Sequence, residues 1–241
     1  MTNITFFSKF VSIPFVMKNC VNCEVRQLTV LKNLSSEELQ KIAICKCSSI
    51  VKKGDLVFDE NQKLSGVYVV RDGVCKLTKL SENGKDHIVK LVVKGGLLGH
   101  RSVISEDTTN LKAVALSDLE VCFIPKEELL SRLHENNLVA FDMLKDLAHN
   151  LKEADNYIVD IANKSVKKRL ADLLLYIESN FGKEKDNTLS LMLSREEMAN
   201  LIGTATESAI RILSQFKADG LVAFSGKKIT ILNAEGLEKV A

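Results

Sequence analysis

The sequence predicts an α+β protein with an all-β N-terminal half, a long central helix and a C-terminal winged helix-turn-helix. Three observations predict this fold class. Between Ser48 and Ile124, short apolar runs alternate with turn residues, as they do in β-sheet proteins. Residues 136–163 place apolar side chains three or four positions apart, which is the spacing of one helical face. Between Leu191 and Leu232, two segments with helix-start signals precede two short apolar runs.

The N-terminal half contains several strand signals separated by turns. Asn83-Gly84 between two alternating runs is a strong hairpin signal, and Arg71-Asp72-Gly73 predicts another turn. The stretch Leu34-Ser35-Ser36-Glu37-Glu38-Leu39 predicts a cap and a short helix to about Ala43. The predicted strands are Val67 to Val70, Val74 to Leu80, His87 to Val93, Ala113 to Leu116 and Val121 to Ile124.

The central helix carries a heptad seam, an apolar stripe whose spacing alternates between four and three residues. Such a seam packs either on the chain's own strands or on a second copy, and the charged residues on the other faces favour a second copy. Val166 to Phe181 is also amphipathic and predicts a further helix. The seam consists of Ala140, Leu144, Leu147, Leu151, Ala154, Ile158 and Ile161.

The C-terminal stretch contains two helix-start signals. Ser194 and Glu197 have the spacing of a capping box, and Gly203 is placed to end that helix. Thr204 and Glu207 repeat the capping-box spacing and predict a second helix to about residue 217. Helical spacing turns Met198, Ile202, Ala209 and Ile212 inward and leaves outside Ala205, Thr206, Glu207, Ile210 and Arg211.

Two short strands follow Gly220, which is expected to break the second helix. Val222 to Phe224 and Lys228 to Leu232 flank the turn Ser225-Gly226-Lys227. The segment therefore predicts a hairpin with a basic tip.

The stretch LSREEMANLIGTATESAIRILSQFKADGLV resembles the DNA-binding element of the Crp/Fnr family of bacterial transcription regulators. The resemblance implies that Glu207 and Arg211 contact base edges. The chemistry agrees, because arginine can donate two hydrogen bonds to guanine and a carboxylate can accept one from cytosine. Residues four apart also share one helical face. The alternative is that Glu207 only caps the helix and Arg211 only pairs with Glu207.

The predicted DNA contacts have different tasks, which follow from their side-chain chemistry and position. Ile210 cannot donate a hydrogen bond but can pack on a thymine methyl group. Lys227 and Lys228 are expected at phosphates, which fix the register without reading sequence. The predicted DNA-binding residues are Ser194, Arg195, Ala205, Thr206, Glu207, Ile210, Arg211, Lys227 and Lys228.

The resemblance extends from about Leu31 to the C-terminus, because the glycines of the N-terminal half are similar to the framework of the family's cyclic-nucleotide-binding-type jelly roll. Members that bind cyclic AMP place an acidic residue after the glycine of the phosphate cassette, and an Arg-Ser pair about ten residues later. His100 occupies the first position here, and Thr109 and Asn110 occupy the pair. Cyclic AMP is therefore not expected to bind. Arg101 is a possible substitute, and the predicted effector pocket is Gly99, His100, Arg101, Thr109 and Asn110.

The cysteines suggest a metal or redox site. Cys20-Val-Asn-Cys23 is a CxxC motif, and the oxygen-sensing Fnr branch holds a [4Fe–4S] cluster with such a motif, a third nearby cysteine and a distant fourth. The resemblance places Cys122 at the distant position, but Thr29 stands at the third, where Cys45 or Cys47 would have to substitute. The alternatives are a redox switch, a zinc site, or that Cys45, Cys75 and Cys122 are small buried hydrophobic residues.

Length and composition limit the class of protein. The 241 residues suggest about two domains. The net charge is +2, and residues 164–241 hold twelve Lys and Arg against ten Asp and Glu, so DNA binding has to rest on local charge. The sequence contains no 18-residue apolar run and no recognisable signal peptide. We therefore expect a cytoplasmic protein with no membrane partner, in a compartment that keeps thiols reduced.

The predicted domains are an arm over residues 1–30, a sensor β-roll over 31–135, a dimerisation helix over 136–163 and a winged helix-turn-helix over 164–241. The resemblance implies a homodimeric transcription regulator whose partners are duplex DNA and RNA polymerase. One alternative is a cyclic-nucleotide-regulated enzyme subunit, but the sequence has no phosphate loop or nucleophile constellation, so no enzyme is predicted. The other alternative is an iron–sulfur, redox or metal-sensing protein whose helix-turn-helix is only a scaffold.

Overall fold

A computed structural model of the chain describes residues 23–45, 47–81, 84 and 86–241. The chain divides into two compact units. The first unit comprises the described residues up to 79 together with 90–147, and the second comprises residues 80–89 and 148–241. The predicted α+β class is confirmed, with a β-roll, a long helix and a C-terminal helix-turn-helix.

Eight strands form two four-stranded sheets with the orders β1-β8-β3-β6 and β2-β7-β4-β5. Strand β8 pairs antiparallel with both β1 and β3, and Val69 lies opposite Cys122. The turn predicted at residues 71–73 was wrong at its start, because β3 continues through Asp72 and only Gly73, at φ +84°, reverses the chain. The strands are β1 Cys47–Val51, β2 Leu56–Phe58, β3 Gly66–Asp72, β4 Cys75–Leu80, β5 Asp86–Val92, β6 Leu97–Leu98, β7 Lys112–Ala115 and β8 Leu119–Pro125. Of the predicted hairpin turn between β4 and β5, Glu82, Asn83 and Lys85 lie outside the described residues.

The helices of the first unit contact the two central strands of the first sheet, β3 and β8. Ser35 caps the first of them, because its Oγ accepts a hydrogen bond from the Glu38 amide at 3.2 Å and the Glu38 carboxylate accepts one from the Ser35 amide at 2.7 Å. The helix that follows Gly99 and the helix that follows β8 were not predicted. The helices are α1 Ser36–Cys45, α2 His100–Ile104 and α3 Lys126–Glu135, preceded by the 3-10 helices Glu24–Leu28 and Val30–Asn33.

One hydrophobic core fills the first unit. Buried side chains of β3, β4, β7 and β8 meet there, and Leu34, Leu39 and Ile42 close it from the N-terminal side. Val139 and Met143 at the start of the long helix belong to the same core. The helix predicted over residues 136–163 is present as α4 Asn137–Asn163, and it continues from the first unit into the second.

The second unit contains the helix-turn-helix and the hairpin, which we call the wing (residues 222–231). Its core is built on Leu170, Leu174 and Ile177 of α5 and on Leu213 and Phe216 of α7, all fully buried. A final helix, α8, was not predicted. The elements are α5 Val166–Phe181, α6 Arg195–Leu201, α7 Thr206–Ala218, β9 Val222–Ser225, β10 Lys228–Ile231 and α8 Ala234–Glu238.

Candidate functional site

The geometry of α6 and α7 follows from their local sequence. The Oγ of Ser194 accepts the Glu197 amide at 3.1 Å, and the Glu197 carboxylate accepts the Ser194 amide at 2.9 Å, so the predicted capping box is present. Gly203, at φ +64°, makes the turn, where a Cβ would lie 2.9 Å from the Ile161 Cδ1 atom. The cap predicted at Thr204 is wrong: Ala205 is the N-cap of α7 and gives no side-chain hydrogen bond.

The outward face of α7 is largely exposed to solvent. Glu207, Ile210 and Arg211 are exposed, as is Ala205, while Thr206 is half-buried. Among the described residues, the side chains of Glu207 and Arg211 make no hydrogen bond or ion pair with any other group of the chain. The alternative that Glu207 caps the helix is therefore excluded for the described chain, and both charged groups point to solvent without partners.

Arg195 is turned toward the wing. Its Nη2 atom donates to the backbone oxygen of Gly226 at 3.1 Å, and its Cζ atom lies 4.9 Å from the ring centroid of Phe224. Burial lowers the pKa of the Arg195 guanidinium, although arginine stays charged in proteins. The sequence pattern did not indicate this contact, because the two partners lie 31 residues apart in the chain.

The wing carries its two predicted lysines in different environments. Lys227 is exposed at the two-residue turn between β9 and β10. The Nζ atom of Lys228 lies 2.6 Å from the Oδ2 atom of Asp186, and this ion pair holds the pKa of the Asp186 carboxyl well below its usual range. Only Lys227 is therefore free to meet a new anion without first leaving a carboxylate.

The predicted effector residues lie together at one cavity of the first unit. Gly99, His100, Arg101, Thr109 and Asn110 all line it, and its volume is about 30 Å³. A buried water needs at least about 10–15 Å³ on this measure, so this space is about the size of two waters.

The polar groups of this cavity are partly occupied. The Thr109 hydroxyl donates to the Asp59 oxygen at 2.6 Å and accepts from the Gln62 amide at 2.9 Å, so it holds the neighbouring loop. His100 is buried, with its Nε2 atom 3.4 Å from the Oδ2 atom of Asp146. Burial lowers the pKa of His100, and the carboxylate of Asp146 opposes that shift.

Two of the predicted cysteine ligands share a second cavity. Cys23 and Cys122 line a space of about 40 Å³ in the first unit, and the Cys122 Sγ atom lies 3.5 Å from the Ser48 hydroxyl. Thr29, at the third ligand position, has no thiol. Its Oγ1 instead caps a 3-10 helix by accepting a hydrogen bond from the Leu31 amide at 3.1 Å. Within the described chain, no three His, Cys, Asp or Glu groups are arranged to hold a metal. The two other predicted ligands, Cys20 and the side chain of Cys45, lie outside the described residues.

The third free cysteine of the described residues is a core residue. Cys75 is fully buried, and this burial raises the pKa of its thiol to about 12. A thiol with so little thiolate is inert toward metals and oxidants at neutral pH. The prediction that Cys75 is a small hydrophobic residue agrees with this environment.

The heptad seam on α4 is largely uncovered. Leu144, Leu151 and Ile158, which recur every seven residues, are 61%, 64% and 65% exposed. Leu147 is half-buried and packs on the core of the first unit, so it also stabilises that unit. Ala154 is exposed, and Ile161 is 37% exposed.

Two family models match the chain. The Cyclic nucleotide-binding domain model matches residues 49–136, and the Crp-like helix-turn-helix domain model matches residues 168–240. These ranges coincide with the β-roll and with the second unit from α5 to its end. No helix of the described residues is long and apolar enough to cross a membrane.

Similar proteins of established name agree with these matches. The chain is 26% identical to the fumarate and nitrate reduction regulatory protein of Escherichia coli K12, over 92% of this chain and 90% of that protein. It is 25% identical to the transcriptional activator protein Anr of Pseudomonas protegens, over 89% of each.

Solved structures show the same fold. A Crp/Fnr-family regulator from Eubacterium rectale superimposes with a TM-score of 0.73 at 24% identity, covering 88% of this chain and 98% of that one. FixK2 from Bradyrhizobium japonicum gives a TM-score of 0.71 at 23% identity, covering 80% and 95%. Both domain types are present in the order that the family has. This chain belongs to the Crp/Fnr family of DNA-binding transcription regulators.

Proposed function

We propose that the chain acts as a homodimer that reads a two-fold-symmetric DNA site with α7 of each protomer. The observation that carries this proposal is the pair of exposed, unpartnered charged groups on α7, Glu207 and Arg211. Unpaired donors and acceptors on one helical face match base edges in the major groove, where a helix of this width fits. Ile210 lies on the same face and is suited to a thymine methyl group.

The phosphate contacts are proposed to come from the flanks of this helix. Lys227 at the wing tip is exposed and within the described chain has no ion-pair partner. Ser194 and Arg195 at the start of α6 are proposed as further contacts, next to the first-turn carboxylates of Glu196 and Glu197. Since the second unit is almost neutral overall, these few local groups have to supply the electrostatic attraction to DNA.

Dimerisation is proposed to use the exposed row Leu144, Leu151 and Ile158. Such a row is an unusual surface for a single chain, because three large apolar side chains at heptad spacing face water. A parallel pairing of two α4 helices would bury them. It would also give two reading helices, which suit half-sites one helical turn apart.

The signal is proposed to enter at the β-roll, either at the His100 cavity or at the cavity shared by Cys23 and Cys122. Cyclic AMP is not the proposed effector, since His100, Thr109 and Asn110 provide no bidentate partner for a cyclic phosphate and Thr109 is already hydrogen-bonded. Calorimetric titration with cyclic AMP is expected to show no binding. Micromolar affinity would contradict this part of the proposal.

A cluster or redox group at the second cavity is supported by the meeting of Cys23 and Cys122 there, and weakened by Thr29 at the third ligand position. A cluster would need Cys20 and either Cys45 or Cys47 as further thiolates. The remaining proposals follow from membership of this family: a cytoplasmic protein without catalytic activity that acts through RNA polymerase.

The proposed function is tested by selecting binding sites from a pool of random duplexes with the purified full-length protein. We expect enrichment of a two-fold-symmetric site whose half-sites are about 10 base pairs apart. Deoxyribonuclease protection should then cover both half-sites. A pool that shows no enriched sequence after repeated rounds, with DNA retained equally by all members, would contradict sequence-specific recognition.

A further inference from the structure

One aromatic ring makes a cation–π contact with a side chain from each helix of the helix-turn-helix. Phe224 lies on β9 of the wing, with the Cζ atom of Arg195 4.9 Å from its ring centroid. The Nζ atom of Lys217 lies at the same distance, 4.9 Å. Arg195 is the first residue of α6 and Lys217 lies in the last turn of α7, so both helices meet the wing at a single side chain.

These contacts are attractive because the face of an aromatic ring is electron-rich. Within the described chain, Arg195 and Lys217 have no carboxylate partner that would otherwise explain their positions. The attraction strengthens as water is removed, and Arg195 is buried enough that its pKa is lowered. Arg195 also donates to the Gly226 oxygen at 3.1 Å, which ties the turn of the wing to the same guanidinium.

A second anchor holds the other strand of the wing, but it is weaker. Lys228 pairs with Asp186, and the two side chains are 52% and 49% exposed. Ion pairs that are this exposed contribute little, because water and salt screen them. The Arg195 hydrogen bond to Gly226, supported by the Phe224 ring, therefore restrains the turn itself, while the buried Val222 and Ile229 hold the two strands.

We propose that Phe224 is a positioning residue for DNA binding: its ring holds Arg195 and Lys217 and thereby fixes the wing turn, with Lys227 at its tip, against α6 and α7. This inference rests on the DNA-binding function proposed above. Phe224 itself touches no DNA in this account and acts through the position of Lys227. Its loss leaves the backbone pairing of the hairpin and the buried Val222 and Ile229 in place, but frees the turn, residues 225–227, to move.

The test compares Phe224→Leu, which keeps an apolar side chain but removes the ring face, with Phe224→Tyr, which keeps the ring. Both are measured alone and combined with Lys227→Ala. Each protein is titrated against the selected site, a site with one changed base pair and a random duplex, over a series of salt concentrations. Thermal unfolding confirms that each variant is folded, and amide hydrogen exchange reports the mobility of residues 222–231 without DNA.

We expect Phe224→Leu to weaken binding to all three duplexes by about three- to thirtyfold, since losing two cation–π contacts lowers the population of the binding-competent wing by that factor. The salt slope should fall by about one unit, the loss of one phosphate contact. Phe224→Tyr should behave as wild type. Phe224→Leu combined with Lys227→Ala should bind no worse than Lys227→Ala alone, because both changes remove the same contact.

Three results would overturn the proposal: a Tyr variant as weak as the Leu variant, additive losses in the double variant, or unchanged exchange of the wing amides in Phe224→Leu. A wild-type protein that bound none of the duplexes would instead refute the proposed function. Hydrogen exchange would in that case still decide whether the ring fixes the wing.

Discussion

Replacing Leu151 by Glu should separate the protomers. Leu151 lies in the middle of the exposed row on α4 and is 64% exposed in the single chain. Full burial of a leucine side chain is worth about 1.5–3 kcal/mol, so about 1–2 kcal/mol of this remains available to an interface. A two-fold interface counts the residue twice, which gives about 2–4 kcal/mol, or roughly a 30- to 1,000-fold weaker dimer. Glutamate is a good helix former, so α4 itself should persist.

The assay is sedimentation equilibrium over a range of protein concentrations, followed by titration of the selected DNA site. Lys152→Gln is a matched control, because it changes the charge by the same amount at the neighbouring exposed position of α4. The control should keep the wild-type dimer constant and the wild-type DNA affinity. If Leu151→Glu dimerises within about threefold of the control, the seam is not the interface, since the calculated loss is at least tenfold larger.

Three further predictions concern the wing and the β-roll. Asp186→Asn removes the carboxylate that pairs with β10 and should tighten binding to every duplex, with a salt slope steeper by about one unit, measured by titration at several salt concentrations. Burial lowers the pKa of His100, so the unfolded chain binds more protons than the folded chain at acidic pH. The free energy of unfolding should therefore fall as the pH drops below about 6.5, the ordinary pKa of histidine. His100→Gln should reduce this loss, as measured by thermal unfolding at several pH values. If the cysteines hold a cluster, protein purified without oxygen should contain iron and acid-labile sulfide. Cys23→Ser or Cys122→Ser should remove both, and the control Cys75→Ala should retain them. Iron-free wild-type protein that still binds its DNA site would contradict the cluster.

Signals that act within a few residues predicted the fold well. The capping box at Ser194, the helix Val166–Phe181 and the ends of α4 follow from cap residues and helical periodicity, which depend only on neighbours in the chain. The second capping box failed because Thr204 and Glu207 have the spacing but α7 begins at Thr206, after Ala205. Spacing alone does not fix the backbone conformation of the residue before a helix.

Contacts between distant segments were not predictable in this way. Arg195 was predicted only as a DNA contact, and its guanidinium lies against Phe224 and Gly226 of the wing. Lys228 was expected at a phosphate, and it pairs with Asp186, which is 42 residues away in sequence. Thr109 was aligned to a ligand-binding position but its hydroxyl holds a loop of the β-roll. Each of these depends on which strands and loops become neighbours, and no local pattern records that.

The central claim is that α7 reads bases through Arg211. Its most direct test is the titration of Arg211→Ala against the selected site, a site changed at the contacted base pair and a random duplex. We expect the binding free energy to fall by about 1–3 kcal/mol on the selected site and to change little on random DNA. The variant should show no remaining preference at that base pair. Equal losses on all three duplexes would contradict it, because they would make Arg211 a non-specific contact rather than a residue that reads sequence.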